Sequence, residues 1–269
     1  MKQLLLTLLI SFSFLVPIKS EAAFITIETT TSTTVRDNVP NISVSVTNKG
    51  DESAHNVRIN IMLASKQYSG RLKDVLGKGL SYTEEFSPSA EFKKAGRYPF
   101  LVNVSYTDAN LYPFSALSVS YINYKEPLDS LITGTIPELA LSEKGSVRLT
   151  AKNIATKEIK FKYEFILPRE FMAEKPGGEV TAGPGTEKVI TSDIENISAL
   201  AGSKYPVFAL LSYEDDKYYY STIASGSITV GKKNLLYRYK TYLIVLLAVL
   251  ILIVIFYNLK GAGKRASKG

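Results

Sequence analysis

Closely spaced carboxylates are the residues of this sequence whose types and spacing best suit chemistry. Glu84 and Glu85 are adjacent, and Glu214, Asp215 and Asp216 form a run of three. Two carboxylates can act as the acid and the base of a hydrolase, and a cluster of carboxylate oxygens can bind calcium. Neither group lies in a recognisable catalytic motif, and acidic residues are common in turns for geometric reasons alone. Glu214, Asp215 and Asp216 therefore remain a candidate calcium-binding turn, with a solvated turn as the simpler interpretation.

The composition removes most other kinds of active site. The 269 residues contain no cysteine and no tryptophan, and His55 is the only histidine. Thiolate nucleophiles, disulfides and cysteine metal sites are excluded, and histidine-based triads and metal sites lack most of their residues. We therefore expect no catalytic residue, no cofactor and no enzyme activity.

The net charge of +7 does not predict a nucleic-acid partner. Eight of the 32 basic residues flank one apolar segment near the C-terminal end, and the others are not gathered into a patch with interleaved aromatic residues. Much of the excess positive charge would therefore lie beside a membrane.

The two ends of the chain predict export and anchoring. Residues 1–23 have a basic start, a short apolar run and small residues near Ala22 and Ala23, which is typical of a signal peptide cleaved after one of them; a retained N-terminal anchor is the alternative. Residues 242–259 contain no charge and are long enough for a membrane-spanning helix. The sequence thus predicts a single-pass cell-membrane protein with an N-terminal ectodomain outside the cytoplasm, a basic juxtamembrane segment 232–241 and a short cytoplasmic tail 260–269.

Two copies of one strand plan fill the region between these ends. The segments YPFLVNVSYTD (98–108) and YPVFALLSYED (205–215) share five of eleven residues at the same places and the same apolar pattern, and apolar and polar residues alternate around both. This period of two predicts strands with one buried face. We predict an all-β fold with two tandem immunoglobulin-like β-sandwiches, the first over 24–125 and the second, with a linker, over 126–231, followed by the single transmembrane helix.

Within each copy, two alternating segments precede the repeated stretch. Residues 42–46 and 57–63 are joined by NKGDESAHN, and 147–151 and 159–167 by NIATKE. We expect each pair to form adjacent antiparallel strands joined by a turn, with His55 exposed in the first turn. Each repeated stretch begins with a tyrosine after a turn, which predicts a tyrosine corner whose hydroxyl bonds nearby backbone; these tyrosines are Tyr98 and Tyr205.

The stretch VSVTNKGDESAHNVRINI resembles the opening of the CARDB-type modules, the cell-adhesion-related domains of bacteria, and of similar repeats in S-layer-associated proteins of archaea and bacteria. VNVSYTDANLYPFSALSVSY and LLSYEDDKYYYSTIASGSITV are similar to the closing hairpin of these modules. NIATKE lacks the glycine of the first copy, so the second module departs from the pattern. The resemblance implies a sandwich architecture and a cell-surface location, and it implies no particular activity.

The two copies differ on the face of the repeated strand that should point away from the core. Leu101, Asn103 and Ser105 occupy it in the first copy, whereas the second copy has Phe208, Leu210 and Ser212. A more apolar outer face suggests contact with another part of the chain or with a partner. Together with the aromatic run after the acidic turn, it defines a candidate interaction surface: Phe208, Leu210, Tyr218 and Tyr220.

Three functions are compatible with this organisation. The preferred one is a non-enzymatic, membrane-anchored cell-envelope protein that presents two modules for protein–protein recognition or as a structural spacer. A second is an accessory subunit of a membrane transport or export complex, in which the transmembrane helix docks. The third is a carbohydrate-binding surface module, suggested by the abundance of tyrosine. An envelope or membrane protein is the expected partner in the first two.

Overall fold

The computed structural model describes residues 24–231, Tyr239, residues 242–246 and Leu250. The predicted signal peptide and the tail 260–269 lie outside the described residues, as do most of the juxtamembrane and transmembrane segments. Tyr239, residues 242–246 and Leu250 are helical, but no helix in the described part of the chain is long and apolar enough to cross a membrane. All other regular structure in this part is β, which confirms the predicted all-β class.

The chain divides into two compact units. One runs to Leu128 and also takes Asp216–Tyr219; the other holds Asp129–Asp215 and the chain from Tyr220 onward. Each unit has its own cluster of buried apolar side chains between two sheets.

The first unit contains seven strands in two sheets. One sheet has the order β1-β2-β5, and the other has the order β7-β6-β3-β4. This arrangement of three and four strands is that of an immunoglobulin-like sandwich. The strands are β1 (Ile27–Arg36), β2 (Val39–Asn48), β3 (Ala54–Leu63), β4 (Lys66–Leu76), β5 (Ser81–Phe86), β6 (Ala95–Thr107) and β7 (Pro113–Tyr124).

The second unit repeats this plan with additional short strands. One sheet has the order β12-β14-β10-β8, and the other has the order β13-β11-β15-β16, with β9 beside β16. The strands are β8 (Ile132–Thr135), β9 (Leu139–Leu141), β10 (Lys144–Asn153), β11 (Ile159–Ile166), β12 (Phe171–Ala173), β13 (Gly177–Ala182), β14 (Glu187–Asn196), β15 (Lys204–Glu214) and β16 (Tyr218–Val230).

The opening strand of the second unit is split in two. β8 pairs antiparallel with β10 in one sheet, and after Pro137 the chain continues as β9, which pairs parallel with β16 in the other sheet. Proline has no backbone N–H and fixes its φ angle, so it interrupts the pairing where the chain changes sheets. The predicted first strand of this module is therefore present, but it serves both sheets.

The prediction of paired opening strands is wrong in both units. β2 pairs with β1 and β5, whereas β3 pairs with β4 and β6, so the two strands lie in different sheets. The same holds for β10 and β11. An alternating pattern shows which face of a strand is buried, but both sheets bury one face against the same core, so it does not show which strand is the neighbour. His55 accordingly lies half-buried on β3 and not in an exposed turn.

The predicted tyrosine corners are confirmed. The Tyr98 hydroxyl donates to the carbonyl of Lys94 at 2.8 Å, and the backbone N–H of Leu200 donates to the Tyr205 hydroxyl at 2.9 Å. Both rings pack against their own unit's core. Each corner therefore fastens the beginning of a long strand to the loop that precedes it.

Candidate interaction surfaces

The repeated strand of the second unit places its side chains as the alternation predicts. Val207, Ala209 and Leu211 are completely buried, whereas Phe208 and Leu210 are half-buried on the other face. Across the sheet, Ile166 of β11 lies opposite Phe208, and Glu164 lies opposite Leu210. We call Ile166, Phe208 and Leu210 the apolar strip; it lies on the outer face of this sheet.

The equivalent positions of the first unit are more polar. Asn60 of β3 lies opposite Asn103 of β6, and Arg58 lies opposite Ser105. Only the first pair of the row, Met62 and Leu101, is apolar. The two units therefore differ at the position of Leu210, where the first unit has Asn103, which means that the sandwich itself does not require an apolar side chain there.

The tyrosines after the acidic turn do not form one aromatic surface. Tyr220 stacks on Tyr213 with ring centroids 4.8 Å apart, and its hydroxyl donates to Asp215 at 3.1 Å. The Tyr213 hydroxyl accepts a hydrogen bond from the Leu131 backbone at 2.9 Å, and burial raises its pKa. Tyr218 is half-buried at the start of β16. Tyr220 therefore takes part in local packing against Tyr213 and Asp215, whereas Phe208 and Leu210 belong to the apolar strip.

The acidic turn itself spans the end of β15 and the loop before β16. Glu214 is the last residue of β15, and Asp215 and Asp216 follow it. Among residues 24–231 and the described helical positions, no three or more acidic, histidine or cysteine side chains come together in a way that could hold a metal ion. Within the turn, Asp215 accepts the Tyr220 hydrogen bond, and calcium binding by the turn stays a prediction.

The side chains of the other two adjacent carboxylates, Glu84 and Glu85, lie on opposite faces of the sheet. Glu84 and Glu85 are successive residues of β5, so their side chains point to opposite faces: Glu84 is 8% exposed, whereas Glu85 is in solvent. They cannot act together on one substrate atom. The Glu84 carboxylate is instead bound by the Tyr82 hydroxyl and by Arg71 Nε, the latter at 3.2 Å.

The side chains of Glu84, Tyr82 and Arg71 form the Glu84 cluster. It lies at the edge of the sandwich where β5 approaches β4. Burial raises the pKa of Glu84, but the hydrogen bonds from Tyr82 and Arg71 and the Arg71 charge outweigh it, so the pKa lies below its ordinary value. Burial and the neighbouring carboxylate raise the pKa of Tyr82. A side chain at Gly70 of β4 would come within 2.9 Å of Glu84 Cγ, so the glycine makes room for the buried carboxylate.

Sequence reasoning missed a buried asparagine at the end of β2. The side chain of Asn48 is completely buried and makes three hydrogen bonds. Its Nδ2 donates to the carbonyls of Glu52 at 2.7 Å and Leu76 at 3.0 Å, and its Oδ1 accepts from the N–H of Gly50 at 3.0 Å. One side chain therefore satisfies three backbone groups where the chain crosses from one sheet to the other.

Asn153 repeats this arrangement at the end of β10. It is also completely buried, and its Nδ2 donates to the carbonyls of Lys157 and Ala182, both at 2.8 Å. Its Oδ1 accepts from the N–H of Ala155 at 2.9 Å. In both units two of the three bonded groups lie two and four residues beyond the asparagine, and the third lies 28 or 29 residues beyond it, so the missing glycine of NIATKE does not alter the connection. The signal that could have revealed it is an asparagine ending an alternating strand in both copies.

The outer face of the sheet β1-β2-β5 is covered by uncharged hydroxyl groups. The cross-strand bonds include Thr47 to Ser81 at 2.8 Å and Thr83 to Ser45 at 3.1 Å. Three charged side chains lie at the margins, and Asn41 is the one amide. The nine hydroxyl residues of this hydroxyl face are Thr30, Ser32, Thr34, Ser43, Ser45, Thr47, Ser81, Thr83 and Ser87.

The corresponding sheet of the second unit has an ordinary charged surface. Lys144 pairs with Glu195 at 3.4 Å, and Lys152 pairs with Glu187 at 3.2 Å, in both cases between β10 and β14. Such exposed ion pairs contribute little to stability, but they keep a sheet face soluble. The two units therefore differ in both of their outer faces while sharing their internal connections.

Comparisons with known proteins do not identify a family. No protein-family model and no curated protein matches the chain. Among solved structures, the YadV chaperone is 12% identical, with a TM-score of 0.33, and the match covers 74% of this chain and 98% of that one. Trypsin-activated alpha-2-macroglobulin from Escherichia coli is 8% identical, with a TM-score of 0.30 over 77% of this chain.

The periplasmic chaperone SfaE is 12% identical, with a TM-score of 0.31, and the match covers 76% of this chain and all of that one. The chain spans only 18% of the length of the Escherichia coli macroglobulin. Similarities at these TM-scores provide no argument about function, and the resemblance to CARDB-type modules remains a prediction. The chain is an all-β protein of sandwich modules, and its own surfaces are what a function must be argued from.

Proposed function

We propose that this chain is a non-enzymatic, membrane-anchored protein of the cell envelope, whose sandwich modules recognise a protein partner. The apolar strip of the second unit is the observation that supports recognition. Ile166 and Phe208 face each other across two strands, with Leu210 two residues further along β15. The first unit has an apolar pair, Met62 and Leu101, opposite each other at the first two positions, but it has Asn103 where the strip has Leu210, so the strip extends the apolar surface at that position.

The chemistry of the strip suits a protein surface. It combines apolar side chains with the flanking charges of Lys162 and Glu164, the pattern of an interface centre with a polar rim. Lys160 and Lys162 lie 2.6 Å and 3.9 Å from Glu179 of the neighbouring strand β13, so the lysine side of this rim is itself paired. A partner could therefore bury the apolar centre while these two lysines keep their acidic neighbour.

Location and anchoring are part of the proposal and are supported by the two ends of the sequence. Residues 1–23 have the layout of a signal peptide, and residues 242–259 form an uncharged segment flanked by basic residues. Both modules would then lie outside the cytoplasm. In this setting the absence of cysteine means that the modules are held together without disulfides.

Site-specific photo-crosslinking of the full-length protein in its native membranes tests the proposal. A photoreactive amino acid at Leu210 should give a discrete crosslinked product with another envelope protein. The matched control is the same replacement at Asn103, which occupies the equivalent strand position of the first unit. We expect no such product from the control. Equal products from both positions, or none from Leu210, would refute recognition through the apolar strip.

A further inference from the structure

β1 forms one edge of the hydroxyl-faced sheet. It pairs with β2 over ten consecutive residue pairs, from Ile27 opposite Asn48 to Arg36 opposite Val39, with no bulge. Among the described residues, no strand other than β2 pairs with it through a ladder of backbone hydrogen bonds. One side of a long and regular strand therefore presents backbone N–H and C=O groups that have no partner strand.

This strand lacks the features that usually prevent edge strands from pairing. Between Thr29 and Val35 it contains no charged residue and no proline. Charged side chains, prolines and bulges are the common means of protection. β4, an edge strand of the other sheet, has several of them: an irregular register against β3 and the charged residues Lys66, Arg71, Lys73 and Asp74.

The side chains of β1 are held in a fixed orientation. Thr31 donates to the Ser120 hydroxyl at 2.9 Å, and Thr33 donates to the carbonyl of Tyr121 at 3.2 Å. These bonds direct Thr31 and Thr33 towards β7, and the odd-numbered Ile27 and Val35 pack against the core. The even-numbered side chains, from Glu28 to Arg36, all lie on the exposed face.

We propose that β1 pairs antiparallel with β1 of a second copy of this chain, around a two-fold axis at Ser32. In this register Ser32 lies opposite Ser32 and Thr30 lies opposite Thr34. Glu28 of each copy lies opposite Arg36 of the other, on the exposed face. The two sheets join into one, and the interface uses the same surface of both copies, as two-fold symmetry requires.

Charge complementarity favours this register, and it favours a second copy of this chain as the partner of β1. The strand has one acidic and one basic residue, placed symmetrically four positions on either side of Ser32. Glu28 already lies 3.5 Å from Lys49 of its own chain, so the second copy's arginine would join an existing pair. A shift of one residue would place Glu28 opposite Val35 and Arg36 opposite Ile27, and would put the cores of the two copies on opposite sides of the joined sheet.

Cysteine scanning tests the register directly, because the chain has no cysteine of its own. We expect full-length protein with Ser32→Cys to form a disulfide-linked dimer on mild oxidation, since directly opposite residues have Cα atoms about 4.5–5.5 Å apart. Thr30→Cys is the control: its counterpart would be four positions along the strand, about 13 Å away. The double variant Thr30→Cys and Thr34→Cys should regain the crosslink. Equal crosslinking of the two single variants, or a crosslink only to other proteins, would overturn the proposal.

A charge-swap experiment provides an independent measurement. Glu28→Arg and Arg36→Glu each replace two attractive pairs of the symmetric interface by two repulsive ones, which should raise the dimer dissociation constant by about tenfold or more. The combined swap restores opposite charges and should return the constant to within about threefold of the original. Sedimentation of the purified full-length protein over a range of concentrations gives these values.

An original protein that stays monomeric at all concentrations would overturn the proposal, and so would a combined variant that dimerises no better than the single ones. This association does not depend on the proposed function. The apolar strip lies on β15 and the dimer surface on β1, so a failed Leu210 crosslink and a failed Ser32→Cys crosslink refute different statements.

Discussion

At the scale of single residues, Glu84 shows how a charge can occupy a position that the alternation of β5 assigns to the core. Its neighbours at Val44 and Phe86 are apolar and buried. Removing a carboxylate from water is costly unless hydrogen bonds and an opposite charge compensate for it. Tyr82 and Arg71 provide this compensation, and Gly70 provides the space. The sequence alone suggested only a pair of adjacent acidic residues, because how deeply a strand residue is buried depends on which strands lie beside it and opposite it.

Acid should weaken this edge of the first unit. The pKa of Glu84 is lower in the folded protein than in the unfolded chain, so the ionised group stabilises the fold above the unfolded-state pKa, and this contribution is lost as the pH falls through the folded-state pKa. We expect Glu84→Gln to lower the free energy of unfolding by about 1–2 kcal/mol at neutral pH. Below the ordinary pKa of glutamate, near 4.5, the difference from the original protein should shrink.

Thermal unfolding of the full-length protein between pH 3 and pH 7 measures this difference. Glu85→Gln is the control, since Glu85 is the next residue of β5 and is exposed. Its stability difference from the original protein should be small and should show no comparable pH dependence. A Glu84→Gln variant that matches Glu85→Gln throughout would contradict the role assigned to the cluster.

At the scale of elements, the period of two predicted the strands and their buried faces but not their partners. Val207, Ala209 and Leu211 are buried as expected, and the Tyr98 and Tyr205 corners are in place. Strand pairing is a long-range property that depends on how loops cross between sheets, and local alternation contains no information about it. The two asparagines that fasten such crossings resemble ordinary turn residues when each copy is taken alone, and only their shared position at the end of an alternating strand in both copies distinguishes them.

These asparagines should be among the most sensitive polar residues of the protein. Asn48→Ala leaves the carbonyls of Glu52 and Leu76 without their side-chain donor, and Asn153→Ala does the same to Lys157 and Ala182. We expect each substitution to lower the free energy of unfolding by about 2–4 kcal/mol, because buried polar groups lose their hydrogen bonds.

Hydrogen exchange followed by mass spectrometry assigns the effect to a unit. Asn48→Ala should accelerate exchange within the first unit, and Asn153→Ala within the second. Asn103→Ala, on the outer face of β6, should change stability by less than about 0.5 kcal/mol. An asparagine variant that exchanges no faster than Asn103→Ala would show that the side chain does not fasten the crossing.

At the scale of the whole molecule, a duplicated scaffold has acquired different surfaces. The internal connections of the two units are the same, whereas one has a hydroxyl face and the other an apolar strip. The sequence predicted the duplication because repeated residues are a local signal. It singled out Phe208 and Leu210 because the copies could be compared position by position. It did not indicate β1 as an interaction surface, because only the sheet topology shows that β1 is an edge.

The proposed export of the chain predicts the start of the mature protein. Cleavage after Ala22 or Ala23 leaves Ala23 or Phe24 as the first residue. N-terminal sequencing of the full-length gene product, recovered from the membranes of its host, checks this. A mature chain that begins at Met1 would instead indicate a retained N-terminal segment and would reverse the argument for the orientation.

The split opening strand of the second unit has a mechanical consequence. β9 and β16 run parallel and side by side, with Leu139, Ala140 and Leu141 opposite Ile228, Thr229 and Val230. They lie near the beginning and the end of this unit's chain. Tension between the two ends would therefore act along the strands and strain these backbone hydrogen bonds together, instead of opening them one after another. A module with this geometry resists being pulled apart when force acts on its two ends.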